Sequence, residues 1–365
     1  MYYRAMELLT KKRTGRGAPR DLPNRFEKLA RDLDPDVVQP DPDAGGEELP
    51  NPKTVFLEDQ SETIIVKNDS PDVGFSAGIN PYRGCEHGCA YCYARPYHEY
   101  LGFSAGLEFE TKIMVKRRAA ELLRRELSRE KYAPQVLGMS GVTDCYQPAE
   151  RQFRITRSCL EVLAEFRNPV SLITKNFLIT RDLDLLKELA AFDAVHVFIS
   201  ITTLNPDLAA KMEPRASRPE HRLRAVEMLA KAGVPVGVMV APIIPGLNDR
   251  EMPAVLEAAK AAGASEAGYT MLRLPYGVKD VFTEWLKLNF PEKLERILGG
   301  VRDMRGGKLN ATAFGTRMRG EGNYADQINQ MFHVFRERLG FGAHIRELRT
   351  EHFRRPGETQ MMLGV

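Results

Sequence analysis

From about residue 75 onward, the chain alternates short apolar runs with longer segments in which apolar residues recur at every third or fourth position. The short runs are typical of buried strands, and the three-to-four spacing is typical of helices with one buried face. The alternation therefore predicts successive βα units. The expected strands lie near 78–82 and at 136–142, 170–174, 195–202, 234–244 and 267–272, and the expected helices at 113–130, 156–166, 181–192, 219–232 and 252–262.

The strand at 195–202 is almost continuously apolar, which indicates burial on both faces. Strands of this kind occur in parallel sheets that are covered by helices. Six of them predict either a doubly wound sheet or an incomplete (β/α) barrel, and periodicity does not choose between the two. The alternation stops after Leu274, where the pattern predicts helices at 283–288, 291–304 and 324–339.

The first 50 residues differ in composition from the rest. A basic block (Lys11, Lys12, Arg13, Arg16 and Arg20) precedes the stretch 32–48, which has seven acidic residues, no Lys or Arg, and several Pro and Gly. Such a stretch buries too little apolar surface to offset its chain entropy. We expect 1–50 to be a mostly disordered lead-in, and its basic block to be either a solvated tail or an arm for nucleic acid or another partner.

Overall composition excludes several classes of protein. The chain has 365 residues with 52 Lys and Arg against 49 Asp and Glu, so its net charge of +3 predicts no global attraction to a polyanion or a membrane. Its longest apolar stretch, 234–247, is broken by Pro and Gly and is too short to cross a bilayer. No secretory signal is visible, and five cysteines cannot all form disulfides. We therefore expect a cytoplasmic protein without a membrane partner.

Candidate chemistry is concentrated at 84–95, GCEHGCAYCYAR, where Cys85, Cys89 and Cys92 follow the first predicted βα strand in a C-x3-C-x2-C arrangement. Clustered thiolates suit an iron–sulfur cluster or zinc. A fourth cysteine at the spacing of a structural zinc site is missing, although His87 or His98 would complete a zinc site with three cysteines. Both interpretations stay open on spacing alone.

This motif, with the aromatic Tyr91 just before its last cysteine, resembles the signature of the radical S-adenosylmethionine (radical SAM) superfamily. The resemblance implies that Cys85, Cys89 and Cys92 hold a [4Fe–4S] cluster whose open iron binds S-adenosylmethionine, and that an electron from a flavodoxin- or ferredoxin-like protein cleaves it to a 5′-deoxyadenosyl radical. It also implies a partial (β/α)6 TIM-like barrel at 75–275, followed by a C-terminal helical extension at 276–365 and preceded by the disordered N-terminal tail.

Further segments narrow the likeness to the group related to spore photoproduct lyase, often labelled DNA repair photolyase-like. They are NPYRGCEHGCAYCYARPYHEY at 80–100, SGVTDCYQPAE at 140–150, ITKN at 173–176, FISIT at 198–202, MEPRASRPEHRL at 212–223 and VAPIIPGLND at 240–249. Active sites of such barrels lie at the carboxyl ends of the strands. By this resemblance Thr143, Lys175 and Ser200 contact S-adenosylmethionine, and Lys175 suits its carboxylate.

The same resemblance places Tyr91 near the adenine. Asp144 is expected either to orient the ribose or amino group or to serve as a turn residue. Arg215 is expected to reach the cofactor carboxylate or the substrate, or else to pair with Glu213.

One position departs from the group's pattern. The cysteine that donates hydrogen in spore photoproduct lyase corresponds here to Gly141, which argues against repair of the thymine spore lesion. Cys145 is a candidate catalytic substitute, with an inert buried thiol as the alternative.

The sequence thus predicts a radical SAM enzyme of lyase or transferase type that abstracts hydrogen from an unidentified substrate. Nucleic-acid lesion repair or modification is one alternative, because five basic residues between Arg302 and Arg319 would suit a phosphate backbone. That loop is equally consistent with solvation or internal ion pairs. A zinc-stabilised binding module without catalysis is the alternative from another class.

Overall fold

The computed structural model describes residues 15–27, 52–343 and 347–356. Its strands within those ranges are β1 (Val55–Glu58), β2 (Ile65–Lys67), β3 (Ala77–Ile79), β4 (Tyr82–Arg83), β5 (Lys112–Val115), β6 (Leu137–Met139), β7 (Val170–Thr174), β8 (Val195–Ser200), β9 (Val236–Ile243) and β10 (Glu266–Met271). Its α-helices are α1 (Glu108–Thr111), α2 (Ala119–Leu127), α3 (Glu150–Phe153), α4 (Ile155–Phe166), α5 (Leu183–Ala190), α6 (Pro206–Met212), α7 (Pro219–Lys231), α8 (Met252–Ala261), α9 (Val278–Asn289), α10 (Leu294–Asp303) and α11 (Asn323–Arg338).

The larger sheet has the strand order β10-β9-β8-β7-β6-β3-β2. Neighbouring strands from β3 to β10 are parallel, and only β2 runs antiparallel at its edge. Since β2 and β10 stand at opposite ends of this order, the sheet is open. Six parallel strands in an α/β fold confirm the predicted partial barrel. The carboxyl ends of these strands lie at one edge of the sheet.

A smaller sheet, in the order β1-β5-β4, corrects one prediction. The segment 113–130 was expected to be a single helix, but Lys112–Val115 forms β5, which pairs parallel with β1 and antiparallel with β4, and the helix begins only at Ala119. Ile113 and Val115 are buried while the residues between and before them are half-buried. β-branched residues in this alternation suit a strand, and their spacing also fits the end of a helical pattern.

The C-terminal helices α9 to α11 follow the sheet as expected. The ring of Phe332 on α11 lies 4.7 Å from that of Tyr269 on β10, so this helix covers the last strand of the sheet. The Trp285 indole on α9 donates a hydrogen bond of 2.9 Å to the carbonyl of Lys211 at the end of α6. No helix within the described ranges is long and apolar enough to cross a membrane.

Residues 15–27, expected to belong to a disordered lead-in, instead pack against the domain. The backbone N–H groups of Gly17 and Ala18 donate to the Glu110 carboxylate at 3.0 and 2.8 Å, and Ala18 is buried. A Cβ on Gly17 would lie 1.7 Å from the Gly88 carbonyl oxygen, so only glycine permits this approach. We call 15–27 the strap. The rest of the predicted lead-in, 1–14 and 28–50, lies outside the described residues.

The strap also accounts for two residues of the basic block. Arg16 donates to the carbonyls of Glu110 and Pro52 at 3.0 and 2.9 Å. Arg20 forms an ion pair of 2.5 Å with Glu284 on α9. Both guanidinium groups therefore hold the strap in place, in contrast to the predicted solvated tail or partner arm.

Candidate functional site

The three clustered cysteines lie on the loop that joins β4 to a 3-10 helix at Arg95–Leu101. The N–H of Cys85 donates to the Phe109 carbonyl at 2.9 Å. The Gln147 amide, which is fully buried, accepts from the N–H of Glu86 at 2.9 Å and donates to the Gly84 carbonyl at 3.0 Å. We call 84–94 the cysteine loop. These bonds hold the backbone of its first half, two of them through the Gln147 side chain.

A buried ion pair fixes the middle of the cysteine loop. Arg95, with no exposed surface, donates from Nε and Nη2 to the Cys89 carbonyl at 3.1 and 2.8 Å. Its Nη2 also lies 2.5 Å from the carboxylate of Glu110, which is equally buried. Because Glu110 also accepts two N–H groups of the strap, one carboxylate joins the strap to the cysteine loop.

The thiols form a buried, electrostatically connected group. Cys85 and Cys89 are buried and Cys92 is half-buried. Burial raises the pKa of all three thiols, and the Cys85 pKa is raised further by Asp144 and by the other two cysteines. No three His, Cys, Asp or Glu side chains in the described ranges converge on a single metal ion. A [4Fe–4S] cluster does not require such convergence, since each thiolate binds a different iron.

Lys175 follows β7 and supplies positive charge to this group. Its Nζ lies 6.0 Å from the centre of the Tyr91 ring, and its charge lowers the pKa of Cys89 and Cys92 against the effect of burial. Within the described ranges no carboxylate lies within 4.0 Å of this ammonium. It is therefore available to an anionic group of a ligand beside the thiols.

Thr143 and Asp144 lie together after β6. Thr143 is buried and donates to the Tyr82 carbonyl at 2.8 Å. Asp144 accepts from the Thr174 hydroxyl at 2.7 Å and the Lys175 N–H at 2.8 Å, and its carboxylate lies 3.4 Å from Nδ1 of His87. Burial opposes ionisation of Asp144, yet His87 and these hydrogen bonds lower its pKa to about 2. Asp144 thus ties two strand ends to the cysteine loop.

Tyr91 and Ser200 both point into hydrogen-bond networks. The Tyr91 hydroxyl donates to the Glu213 carboxylate, which also pairs with Arg222 and accepts from Thr202 at 2.6 Å. Ser200 ends β8 and donates to the Ala241 carbonyl at 3.1 Å. The contacts with S-adenosylmethionine expected of Tyr91 and Ser200 remain predictions.

Arg215 has a different partner from the one considered in the sequence. It pairs with Glu86 of the cysteine loop at 3.0 Å, and its N–H donates to the His87 carbonyl at 3.2 Å. Glu213 is unavailable because its carboxylate is held by Arg222, Tyr91 and Thr202. The alternative of an Arg215–Glu213 pair was therefore wrong. Arg215 fastens the outer side of the cysteine loop.

Cys145 and Tyr93 differ in their exposure to solvent. Cys145 is fully buried in the main core, where burial raises its pKa well above the ordinary value, which favours the interpretation of a packing thiol. Tyr93 is partly exposed, and its hydroxyl donates to the Gly141 carbonyl at 2.7 Å. In the sequence Tyr93 flanks Cys92, which predicts either a contact with adenine or the substrate or a packing role. Its position directly after Cys92 places Tyr93 on the cysteine loop, and its hydroxyl reaches the end of β6.

The basic loop at 302–319 is largely tied down internally. Arg317 pairs with Asp72, Arg319 lies 4.0 Å over the Tyr269 ring, and Arg302 lies 3.9 Å from Glu295. Of the three interpretations of this loop, which were binding to a phosphate backbone, solvation and internal ion pairs, these contacts support the internal ion pairs.

The radical SAM superfamily model matches residues 79–259, which include the cysteine loop and β6 to β8. This chain carries a radical SAM domain. The match spans Cys85, Cys89, Cys92 and Lys175, and it confirms the resemblance drawn from the cysteine motif.

Sequence relatives match between 47% and 61% of this chain. The chain is 36% identical over 224 residues to an uncharacterized protein of Mycobacterium tuberculosis, a match that covers 61% of this chain and 66% of the relative, slightly less than two thirds of that protein's length. It is 31% identical over 173 residues to an uncharacterized protein of Methanocaldococcus jannaschii, covering 47% of this chain and 62% of the relative.

Solved structures with this fold include spore photoproduct lyase. A mutant with bound AdoMet and dinucleoside spore photoproduct superposes with a TM-score of 0.57 at 17% identity, covering 79% of this chain and 80% of that chain. A complex with dinucleoside spore photoproduct gives 0.57 at 16% identity, covering 78% and 80%. At these identities the radical SAM domain and spore photoproduct lyase share a fold.

Proposed function

We propose that this protein is a radical SAM enzyme in which Cys85, Cys89 and Cys92 hold a [4Fe–4S] cluster that binds and reductively cleaves S-adenosylmethionine. One observation carries the proposal. Three thiols lie on a loop that is fixed by buried backbone contacts, at the carboxyl edge of a parallel sheet, beside the ammonium group of Lys175. Clustered soft ligands next to a cation fit an iron–sulfur cluster and an amino-acid carboxylate.

Each side chain then has a definite task. When bound, the cluster supplies the electron that cleaves the sulfonium to methionine and a 5′-deoxyadenosyl radical. Lys175 holds the cofactor carboxylate, and Ser200 and Thr143 line its ribose and amino groups. Asp144 keeps the backbone of Lys175 in place through its carboxylate. Arg215 steadies the loop through Glu86. Burial of the thiols keeps bulk water from the site where the radical forms.

The substrate and the electron donor complete the proposal. The radical abstracts hydrogen from a substrate that enters over the carboxyl ends of the strands, and the electron comes from a flavodoxin- or ferredoxin-like protein in the cytoplasm. The reaction is of lyase or transferase type. Cys145 is a less favoured hydrogen donor, since its thiol has no exposed surface. Lesion repair in nucleic acid is the second candidate function, because the solved structures that share this fold include spore photoproduct lyase with a dinucleoside spore photoproduct.

The test is anaerobic reconstitution with iron and sulfide, followed by dithionite and S-adenosylmethionine, with chromatography for 5′-deoxyadenosine. We expect about four irons and four sulfides per chain and 5′-deoxyadenosine from the wild type. Cys89→Ala should lose both. Cys159→Ala is the matched control, because Cys159 is a buried core thiol outside the cysteine loop and its removal should leave cluster and product unchanged. Bound zinc with no iron or sulfide would overturn the proposal in favour of a zinc-stabilised module.

A further inference from the structure

The buried ion pair of Arg95 and Glu110 lies against the cysteine loop. Neither side chain has any exposed surface. Arg95 donates from Nε and Nη2 to the Cys89 carbonyl, and from Nη1 to the carbonyls of Ala105 and Gly106 at 3.2 and 2.9 Å. Together with the bond to Glu110, these contacts use all five N–H groups of the guanidinium. The position of this positive charge is therefore fixed.

The Glu110 carboxylate is fixed as firmly as its partner. It accepts two N–H groups of the strap as well as one N–H of Arg95. A Cβ on Gly88 would lie 2.8 Å from Oε2 of Glu110, so the carboxylate packs against the backbone that directly precedes Cys89. Because both charges are buried, solvent screens them much less than it screens a charge at the surface.

The two charges act on the thiols in opposite directions. Burial raises the pKa of Cys92, Arg95 lowers it, and Glu110 raises it. A thiolate at Cys92 is thus stabilised by the guanidinium and destabilised by the carboxylate. The pair reaches the thiols electrostatically as well as through the backbone of the cysteine loop.

Other charged groups that act on the thiols already have a task in the proposed function. They are Lys175 and Arg222, which are positive, and Glu213 and Asp144, which are negative. Arg95 and Glu110 add one charge of each sign to this group, and neither has a task beyond holding the loop.

A cluster held by these thiolates would respond to the same two charges. The proposed function requires that one electron pass from the cluster to the sulfonium, and the reduced cluster carries one more negative charge than the oxidised cluster. A buried carboxylate nearby disfavours that added charge and lowers the reduction potential, whereas a buried guanidinium raises it.

We propose that Glu110 is a positioning residue that holds Arg95 on the Cys89 carbonyl and offsets its positive charge, so that the cluster stays a strong one-electron reductant. This inference rests on the proposed function, because it assigns Glu110 a role toward the cluster. Since the strap supplies two of the hydrogen bonds to the carboxylate, the strap belongs to the surroundings that set the potential.

The test is an anaerobic redox titration of the cluster-loaded full chain without S-adenosylmethionine. The electron paramagnetic resonance signal of the reduced cluster gives the midpoint potential. Glu110→Gln should shift this potential to a more positive value and Arg95→Gln to a more negative value. Each shift should correspond to a roughly tenfold change in the ratio of reduced to oxidised cluster, about 59 mV for one electron. Glu110→Asp keeps the charge and should recover most of the shift.

Opposite signs separate an effect of charge from a loosened loop, which would move both potentials in the same direction. Glu126→Gln is the matched control, because Glu126 is also a buried carboxylate that accepts two backbone N–H groups, those of Ile64 and Ile65 at the start of β2. Its midpoint potential should equal that of the wild type. Iron and sulfide content, measured on every sample, shows which variants hold the cluster.

Shifts of the same sign in Glu110→Gln and Arg95→Gln, or an unchanged potential in either, would overturn the inference. So would a shift in Glu126→Gln as large as that in Glu110→Gln. If only Arg95→Gln assembles a cluster, its potential decides: a more negative value supports the inference, and any other value overturns it. Failure of both variants to assemble a cluster would leave the pair a structural role only. A wild type without a [4Fe–4S] cluster would overturn the proposed function itself, whereas the other contrary outcomes leave that function standing.

Discussion

At the scale of single residues, the site depends on buried charges that hold one another. The Glu213 carboxylate accepts from Tyr91 and Thr202 and pairs with Arg222, whose side chain is 1% exposed. Desolvation of each ion is costly, and the pair is tolerated because the hydrogen bonds are complete. The ion pair holds the end of β8 in position, since Arg222 also donates to the Ser200 carbonyl there.

Glu213→Gln should lower the free energy of unfolding by about 3–5 kcal/mol, because it leaves the Arg222 guanidinium buried without its counter-charge. Urea unfolding of the metal-free protein followed by circular dichroism measures this. Glu227→Gln removes an exposed carboxylate that pairs with Lys231 and should leave the midpoint unchanged. A Glu213→Gln variant as stable as the wild type would mean that the buried Arg222 guanidinium does not need the Glu213 charge.

His98 should make stability depend on pH. Burial lowers its pKa from 6.5 to about 4, so the folded chain keeps the ring neutral where the unfolded chain takes up a proton. Stability is then complete above about pH 6.5 and falls as the pH drops towards 4, by about 2 kcal/mol between pH 7 and pH 5.

His98→Phe should remove this part of the pH dependence. The ring already packs 5.0 Å from Phe103 and 5.6 Å from Phe109, and neither of its nitrogens has a hydrogen-bond partner, so phenylalanine keeps the packing. Urea unfolding at pH 7 and pH 5 compares the variant with wild type and with His333→Gln, which changes an exposed histidine. If His98→Phe and the wild type lost the same free energy of unfolding between pH 7 and pH 5, His98 would not be the source of the pH dependence.

At the scale of elements, the strap is the part that sequence patterns did not reveal. It has no periodicity, and its order comes from partners far along the chain: the Glu110 carboxylate, the Gly88 carbonyl and Glu284 on α9. Helices α4, α7 and α8 were predicted almost to the residue, because each has one apolar face. Local patterns encode such elements, whereas the strap depends on contacts that no local pattern contains.

Gly17→Ala should detach the strap, since the new Cβ would overlap the Gly88 carbonyl oxygen. We expect trypsin to cut after Arg16 and Arg20 roughly tenfold faster than in the wild type, as measured by mass spectrometry of the fragments. Gly74→Ala is the control, because a Cβ there meets nothing within 4 Å. Equal cleavage rates for both variants would show that the strap does not depend on this close approach.

At the scale of the whole molecule, the sequence pattern predicted the parallel strands and the cysteine loop, and the resemblance implied the partial barrel. The contacts around the site were predicted only in part. The thiols, Lys175 and Thr143 lie at one edge because parallel strands end there, as βα alternation implies. The actual partners of Arg215 and Asp144 could not be predicted, because a charged side chain has several oppositely charged neighbours within reach once the chain folds. Burial, which sequence does not fix residue by residue, selects among them.

Cluster assembly should stabilise the entire fold. Anaerobic reconstitution is expected to raise the melting temperature by about 5 °C or more, since the cluster binds the folded chain preferentially. Assembly should be more complete at pH 8.5 than at pH 7, because burial raises the pKa of the three thiols and binding must release their protons.

Differential scanning calorimetry of Cys89→Ser and Cys159→Ala provides the comparison for this prediction. The first variant should show no rise in melting temperature and the second the full rise. A rise in Cys89→Ser as large as in the wild type would mean that iron and sulfide stabilise the protein elsewhere.

Because Arg95 and the strap share the Glu110 carboxylate, the smallest fragment that keeps the contacts of the cysteine loop must include the strap. A fragment cut at the limits of the family match, 79–259, would retain every thiol and Lys175. It would nevertheless lose the two amide donors of Gly17 and Ala18 and the whole of β10. Such a fragment would carry the cysteine motif without the contacts that hold the cysteine loop, so any shortened version of this protein should begin ahead of Gly15.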